Sequence, residues 1–276
     1  MSQSTYELID SGNYAKLEKI GPHLIVRPCP QAVWEPRDPA AWKKASDTYV
    51  RNNTGSGKWQ KGCLPEEWHI DYHGQKMLIR PTAFGHLGLF PEHARNWDWV
   101  AEQCSPPGCR AMNLFAYTGG LSLAMARAGA QVAHVDAANG ICEWARDNAE
   151  LNKISNIRWI VDDVLKFLQR EARRNSKYDA IVLDPPTYGR GPKGEIWKIE
   201  EQINPLLKDI KAVLSDKPRF VLFSCHTPHF TPKALENLCH SVFGDKIKVD
   251  AFEMTVPEKN SKRVVPSGFC CRVTFG

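Results

Sequence analysis

RAMNLFAYTGGLSLAMARAGAQVAHVD, residues 110–136, decides the fold. Arg110–Phe115 is a short apolar run of strand length. Gly119 and Gly120 turn the chain into Gly120–Ala128, small and apolar at helical spacing, and Gly129 ends that helix. Gln131–Asp136 is a second strand, and it stops on an acid. The same rhythm continues downstream. Ile157–Val161, Tyr178–Asp184 and Arg219–Ser224 read as strands; Ile141–Leu151, Val164–Arg174, Ile196–Leu214 and Thr231–Val242 read as helices, with a break possible at Pro205. Ile247–Met254 and Gly268–Phe275 close the chain as strands. Strands alternating with helices predict an α/β fold with a doubly wound, mainly parallel sheet. In such a sheet ligands sit at the carboxyl ends of the strands, where the strand order reverses.

Upstream the character changes near residue 82. Tyr6–Pro30 reads as short strands with polar breaks, Asn52–Lys58 as a Gly- and Asn-rich loop, and Trp68–Tyr72 with Gln75–Arg80 as a β-hairpin. The expected organisation is a small β-rich lobe, 1–82, and a second domain, 83–276.

With 42% hydrophobic and 24% charged residues, the chain of 276 is neither disordered nor collagen-like. A net charge of +5 permits a nucleic-acid partner without requiring one. No apolar run approaches the roughly 18 residues of a membrane span, and Glu7, Asp10, Lys16 and Glu18 interrupt any signal-peptide core. A cytoplasmic location is expected. Nine irregularly spaced cysteines read as reduced, mostly buried thiols. Cys225, His226 and His229 lack a fourth ligand for zinc, so no metal is expected.

Each strand end carries something. Ala116–Gly120 lets backbone approach a ligand, yet it is not the G-x-G-x-x-G dinucleotide fingerprint. Asp136 suits a ribose diol or a helix N-cap. Asp162 and Asp163 suit an adenine amine or, again, a cap. Asp184-Pro185-Pro186-Thr187-Tyr188 is the most specific feature, because two prolines stiffen the loop and an aromatic follows an acid. Cys225 ends the fifth strand, where a thiol is either a nucleophile or a buried hydrophobe.

Together these motifs resemble class I S-adenosylmethionine-dependent methyltransferases, and more narrowly the bacterial ribosomal-RNA methyltransferases of the RlmI and RlmK type. The match runs through Asn113–Gly120, His134–Ala137, Ala145–Asn152, Asp162–Leu168, Asp184–Tyr188, Phe223–His226 and Val265–Gly268. It implies a seven-stranded sheet whose last strand is antiparallel, and S-adenosyl-L-methionine as cofactor. Asn113, Phe115, Tyr117, Thr118 and Gly119 would approach the methionine part. Asp136 and Ala137 would meet the ribose, Asp163 and Val164 the adenine, and Asp184 the methyl end. His86 and Leu87, within Phe84–Phe90, would cover the cofactor, although this chain has Leu87 and Pro91-Glu92-His93 where the family often has Thr and an acid followed by Gln-Arg. Pro185, Pro186, Tyr188 and Arg190 would frame an RNA base, ribosomal RNA being the expected partner. Cys225, with Asp184, would be catalytic if the acceptor is cytosine carbon-5. Methylation of a base nitrogen such as guanine N7, or of a non-RNA substrate, needs no thiol. A nicotinamide oxidoreductase would lack its glycine fingerprint here. A non-catalytic RNA-binding module would leave the row of strand-end acids without a purpose.

Overall fold

Tyr6, Leu8 and Asp10 point inward in alternation, the period of two that places a strand in a sheet with one buried face. The computed structural model describes residues 5–52, 56–191 and 194–276. Strands β1 (Tyr6–Gly12), β2 (Ala15–Ile20) and β3 (His23–Pro28) are followed by the short helix α1 (Pro39–Trp42), then by β4 (Asp47–Arg51) and β5 (Gly57–Trp59). They form one five-stranded sheet in the order β1-β2-β3-β4-β5, antiparallel except for β3 with β4. Strands β6 (Trp68–Tyr72) and β7 (Gln75–Ile79) pair around His73-Gly74. Both turn residues have positive φ, 45° and 70°, as a two-residue type I′ turn requires.

The second unit begins with α2 (Ala94–Cys104). It continues as β8 (Arg110–Leu114), α3 (Gly120–Arg127), β9 (Gln131–Asp136), α4 (Asn139–Leu151), β10 (Ile157–Val161), α5 (Val164–Arg173) and β11 (Ala180–Leu183). A small hairpin, β12 (Tyr188–Arg190) and β13 (Ile196–Lys198), precedes α6 (Ile199–Val213), β14 (Phe220–Cys225), α7 (Pro232–Phe243), β15 (Ile247–Pro257) and β16 (Val264–Phe275). The main sheet has seven strands in the order β10-β9-β8-β11-β14-β16-β15. Its first five are parallel, and β16 runs antiparallel beside β14. The chain winds outward from β8 to β10, returns to β11 and winds the other way, so the switch point lies between β8 and β11. The core on this sheet is apolar, with Met112, Leu114, Ile181, Leu183, Val221 and Phe223 packed against Phe167, Ile203, Leu206 and Leu207 of the helices.

By contacts the chain divides into two compact units. One runs to Ala94 and includes Thr255–Ser267; the other is Arg95–Met254 with Gly268–Gly276. The return of 255–267 to the first unit has no signal in the sequence reading. Local expectations needed three corrections. Within the expected loop 52–58, residues 53–55 lie outside the described residues, and Gly57 opens β5. Residues 196–198 are a strand and not the start of a helix. Helix α6 runs unbroken through Pro205. That proline is exposed, and so is Glu201 one turn earlier, so water can serve the carbonyl that lost its partner. All nine cysteines are free thiols, and only Cys63 among them is exposed.

Candidate active site

The loop after β8 is conformationally strained. Phe115 (φ 54°), Tyr117 (φ 49°) and Gly119 (φ 88°) all lie in the left-handed region. Two non-glycine residues there cost roughly 1 kcal/mol each and persist only where surroundings hold them. What holds them is visible. The Phe115 ring meets Trp197 at 5.0 Å, and the Tyr117 ring meets Trp144 at 6.2 Å. The Tyr117 N–H donates to Asp136 Oδ2 (2.9 Å), and Asn148 Nδ2 donates to the Thr118 carbonyl (2.9 Å). Gly120 sits so close to Trp97 that an added Cβ would lie 2.6 Å from the indole.

Beneath the loop is a buried polar chain. Asn113 Nδ2 donates to Ser122 Oγ (2.9 Å), which is 3.0 Å from His134 Nδ1. Asn113 is 2% exposed and His134 fully buried. Burial pushes the His134 pKa down to about 3, with Arg146 adding to the shift, so the ring is neutral. Asn113, expected to approach a ligand, thus spends its side chain under the loop. Ser122 and His134 were missed in the sequence, where a serine in a helix and a histidine in a strand carry no signal of their own.

Asp136 ends β9 with one carboxylate oxygen on the Tyr117 N–H and the other on the Ala138 N–H (3.0 Å). Burial raises its pKa, against those backbone hydrogen bonds. Asp163 caps α5 through Oδ1, which accepts from the Lys166 N–H (3.0 Å). Capping uses one of its oxygens, so the helix-cap reading and the ligand reading are compatible. Its neighbour Asp162 is held by Arg170. Val164 is buried in the first turn of α5.

Asp184, at the end of β11, accepts from Ser224 Oγ (2.8 Å), and His226 Nε2 is 3.6 Å away. Pro185 is buried, while Pro186 and Thr187 are exposed. Trp197 Nε1 donates to the Pro186 carbonyl (2.6 Å), and the Thr187 and Thr227 hydroxyls lie 2.7 Å apart. The rigid loop leads into the β12–β13 hairpin, which presents Tyr188, 50% exposed, and exposed Arg190. Cys225 ends β14 at 0% exposure. Burial pushes its thiol pKa up and the Asp184 charge adds to the shift, against hydrogen bonds with Thr227. His86 and Leu87 belong to the first unit, His86 exposed and Leu87 buried.

Because β8, β9, β10, β11 and β14 are parallel, the loop 115–119, Asp136, Ala137, Asp163, Asp184 and Cys225 all follow strand ends on one edge of the sheet. Residues 113–120, 136–138, 162–165 and 184–188 contain four carboxylates and no Lys or Arg. Such an edge suits ribose hydroxyls, an adenine amine and a sulfonium cation, and it suits a pyrophosphate poorly.

A family model for S-adenosylmethionine-dependent methyltransferases matches residues 45–223. The chain belongs to this family. It is 33% identical over 185 residues to the ribosomal RNA large subunit methyltransferase K/L of Hahella chejuensis, covering 63% of this chain and 25% of that one. It is 35% identical over 151 residues to the ribosomal RNA large subunit methyltransferase I of Aeromonas salmonicida, covering 52% and 37%. The chain therefore spans a quarter to just over a third of the length of these two curated relatives. A crystal structure of an S-adenosylmethionine-dependent methyltransferase from Agrobacterium tumefaciens is similar over 99% of this chain and 91% of that one, with 34% identity and a TM-score of 0.94. No helix among the described residues is long and apolar enough to cross a membrane.

Proposed function

We propose that this methyltransferase acts in the cytoplasm on a base of RNA, with ribosomal RNA the preferred class. The observation that carries the reading is the Asp184–Arg190 segment: an acid at the switch point, a proline-stiffened loop, and an exposed tyrosine and arginine on the hairpin that follows. An aromatic ring stacks a flipped or unpaired base, and an arginine meets its phosphate. The names of the curated relatives support the same substrate.

When bound, S-adenosylmethionine supplies an electrophilic methyl group. The roles of the chain follow from positioning. The strained loop, including Phe115, Tyr117, Thr118 and Gly119, faces the methionine part, with Asn113 acting through Ser122 beneath it. Asp136 and Ala137 take the ribose, and Asp163 and Val164 the adenine. Asp184, fixed by Ser224, stands at the methyl end. Pro185 and Pro186 shape the base pocket with Tyr188 and Arg190. The first unit takes part in substrate choice.

The burial of Cys225 and its raised thiol pKa favour an acceptor that needs no enzyme nucleophile, such as a base nitrogen. The second reading is cytosine carbon-5 chemistry. Its support is that Cys225 lies two residues beyond Phe223, the partner of Leu183 on the adjoining strand. There the Cys225 thiolate adds to carbon-6, carbon-5 takes the methyl group, and loss of the carbon-5 proton expels the thiolate. Mass spectrometry of RNA nucleosides from a deletion strain and its parent tests the proposal. A single methylated nucleoside missing from the deletion strain, and restored in its purified RNA by the enzyme, is expected. Unchanged nucleosides would overturn the RNA reading. A denaturant-stable adduct with 5-fluorocytosine RNA that Cys225→Ala abolishes would move the carbon-5 reading to first place.

A further inference from the structure

Residues 82–86 of the first unit form a loop held rigid from within and from below. The Thr82 N–H and hydroxyl both donate to the His86 carbonyl (3.0 and 2.9 Å). Thr82 Oγ1 also accepts from the Phe84 and His86 N–H groups (3.3 and 3.1 Å). Three side chains of the β-sheet then fasten the backbone. Tyr49 Oη donates to the Ala83 carbonyl (2.7 Å), Trp59 Nε1 to the Thr82 carbonyl (3.1 Å), and Arg27 Nη1 to the Gly85 carbonyl (3.0 Å). Gly85 has φ +77° and lies flat on Tyr49, where an added Cβ would sit 2.5 Å from the ring. The consequence is at the apex: Phe84 is 64% exposed on a loop with no freedom to fold it inward.

Beside Phe84 lies a cavity of about 150 Å³ whose lining includes Lys16, Arg27, Tyr49, Arg51 and His86, with Glu92 as its acidic member. Beneath it, buried Glu18 holds Arg27 through two contacts (2.6 and 2.7 Å) and Lys16 at 3.1 Å. Glu18 and Glu92, whose charge acts on Arg27, together balance Lys16 and Arg27, so Arg51 is the cation in excess at this cavity. Arg51 is exposed, and among the described residues its guanidinium makes no hydrogen bond or ion pair. An aromatic face fixed next to an unpaired arginine is a combination that holds single-stranded nucleic acid, a base on the ring and a phosphate on the charge. A cationic rim repels an amine substrate.

We propose that Phe84 and this cavity bind a nucleotide of single-stranded RNA, its base stacked on Phe84 and its phosphate held by Arg51 and Lys16. The proposal rests on the RNA reading above and adds a second contact for the same substrate. The test measures methyl transfer from tritiated S-adenosylmethionine to total RNA of the deletion strain, with anisotropy of a fluorescent single-stranded RNA 20-mer and calorimetry with S-adenosylhomocysteine alongside. Phe84→Ala should raise KM for RNA and weaken the 20-mer about ten-fold, while Phe84→Trp stays within about two-fold of wild type. Arg51→Glu should weaken the 20-mer and flatten the salt dependence of its binding. Affinity for S-adenosylhomocysteine should not move in any of them, which also shows that each variant is folded. If the wild-type enzyme neither binds nor methylates RNA, the RNA reading fails. If it does both and Phe84→Ala matches it, this site fails alone. A Phe84→Ala enzyme that has lost S-adenosylhomocysteine would assign the ring to the cofactor and overturn the proposal.

Discussion

His134 and Asp136, two residues apart on β9, do different work. His134 is buried with a pKa of about 3 in the folded protein, against an ordinary value of 6.5. The unfolded chain therefore binds this proton more readily. The folded state has its full stability above pH 6.5 and loses about 1.4 kcal/mol per pH unit as pH falls from there toward 3. Replacing the histidine with glutamine removes that slope. Between pH 7 and pH 5, wild type should lose about 2 kcal/mol more than His134→Gln, measured by urea unfolding at each pH. Equal losses would show that the ring is not held neutral. Asp136 is tested by binding. Asp136→Ala takes an acceptor from the Tyr117 N–H and, on the proposed assignment, from the ribose, so S-adenosylhomocysteine should bind about 1–3 kcal/mol more weakly in calorimetry. An unchanged constant removes Asp136 from the site. The sequence pointed to Asp136 because an acid there suits a ribose diol and came together with the other strand-end motifs. It was silent on His134, because a histidine in an apolar run reads the same whether it bonds Ser122 or nothing.

At the scale of elements, Asp163 joins the end of β10 to the start of α5. Asp163→Ala removes the cap on the Lys166 N–H and should destabilise the protein by about 1 kcal/mol. Asp163→Asn keeps the cap, since an asparagine oxygen accepts equally well there. On the proposed assignment it offers the adenine amine a donor in place of an acceptor, so it should weaken S-adenosylhomocysteine binding while leaving the melting temperature of the free protein nearly unchanged. Loss of melting temperature without loss of affinity in Asp163→Ala would make this residue a cap and nothing more. The β8 loop and α3 meet at Gly120. An alanine there drives its Cβ into Trp97, and overpacking of this kind costs about 1–3 kcal/mol. Thermal unfolding of Gly120→Ala should show it, and wild-type stability would mean that the indole moves freely. The hairpin β12–β13 escaped the sequence reading. Its strands are only three residues long, and Ile196–Lys198 joined smoothly onto the helical pattern that follows.

For the whole molecule, the informative feature is the return of Thr255–Ser267 to the first unit. Glu258 bonds Ser11, Lys259 pairs with Glu7 (2.6 Å), and Arg37 Nη1 donates to the Asn260 carbonyl (2.6 Å), across 223 residues of sequence. Arg37→Ala should therefore speed hydrogen exchange at residues 258–263 and spare the β8–β11 core; unchanged exchange there would show that the remaining contacts suffice. A cut near residue 82 removes the partners of 255–267 together with the lobe. Period and punctuation in the sequence determined the α/β class, the parallel strands and the order of acids at their ends, because those properties are local and repeat along the chain; the family was legible only by the resemblance of the strand-end motifs. The tertiary structure alone decided which of those residues are buried and spent on each other. Asn113 turns under its loop, Cys225 is buried, Ser224 clamps Asp184, and Phe84 is held out on a rigid apex. Each depends on side chains distant in sequence meeting at hydrogen-bond or van der Waals distance, and no local pattern encodes that meeting.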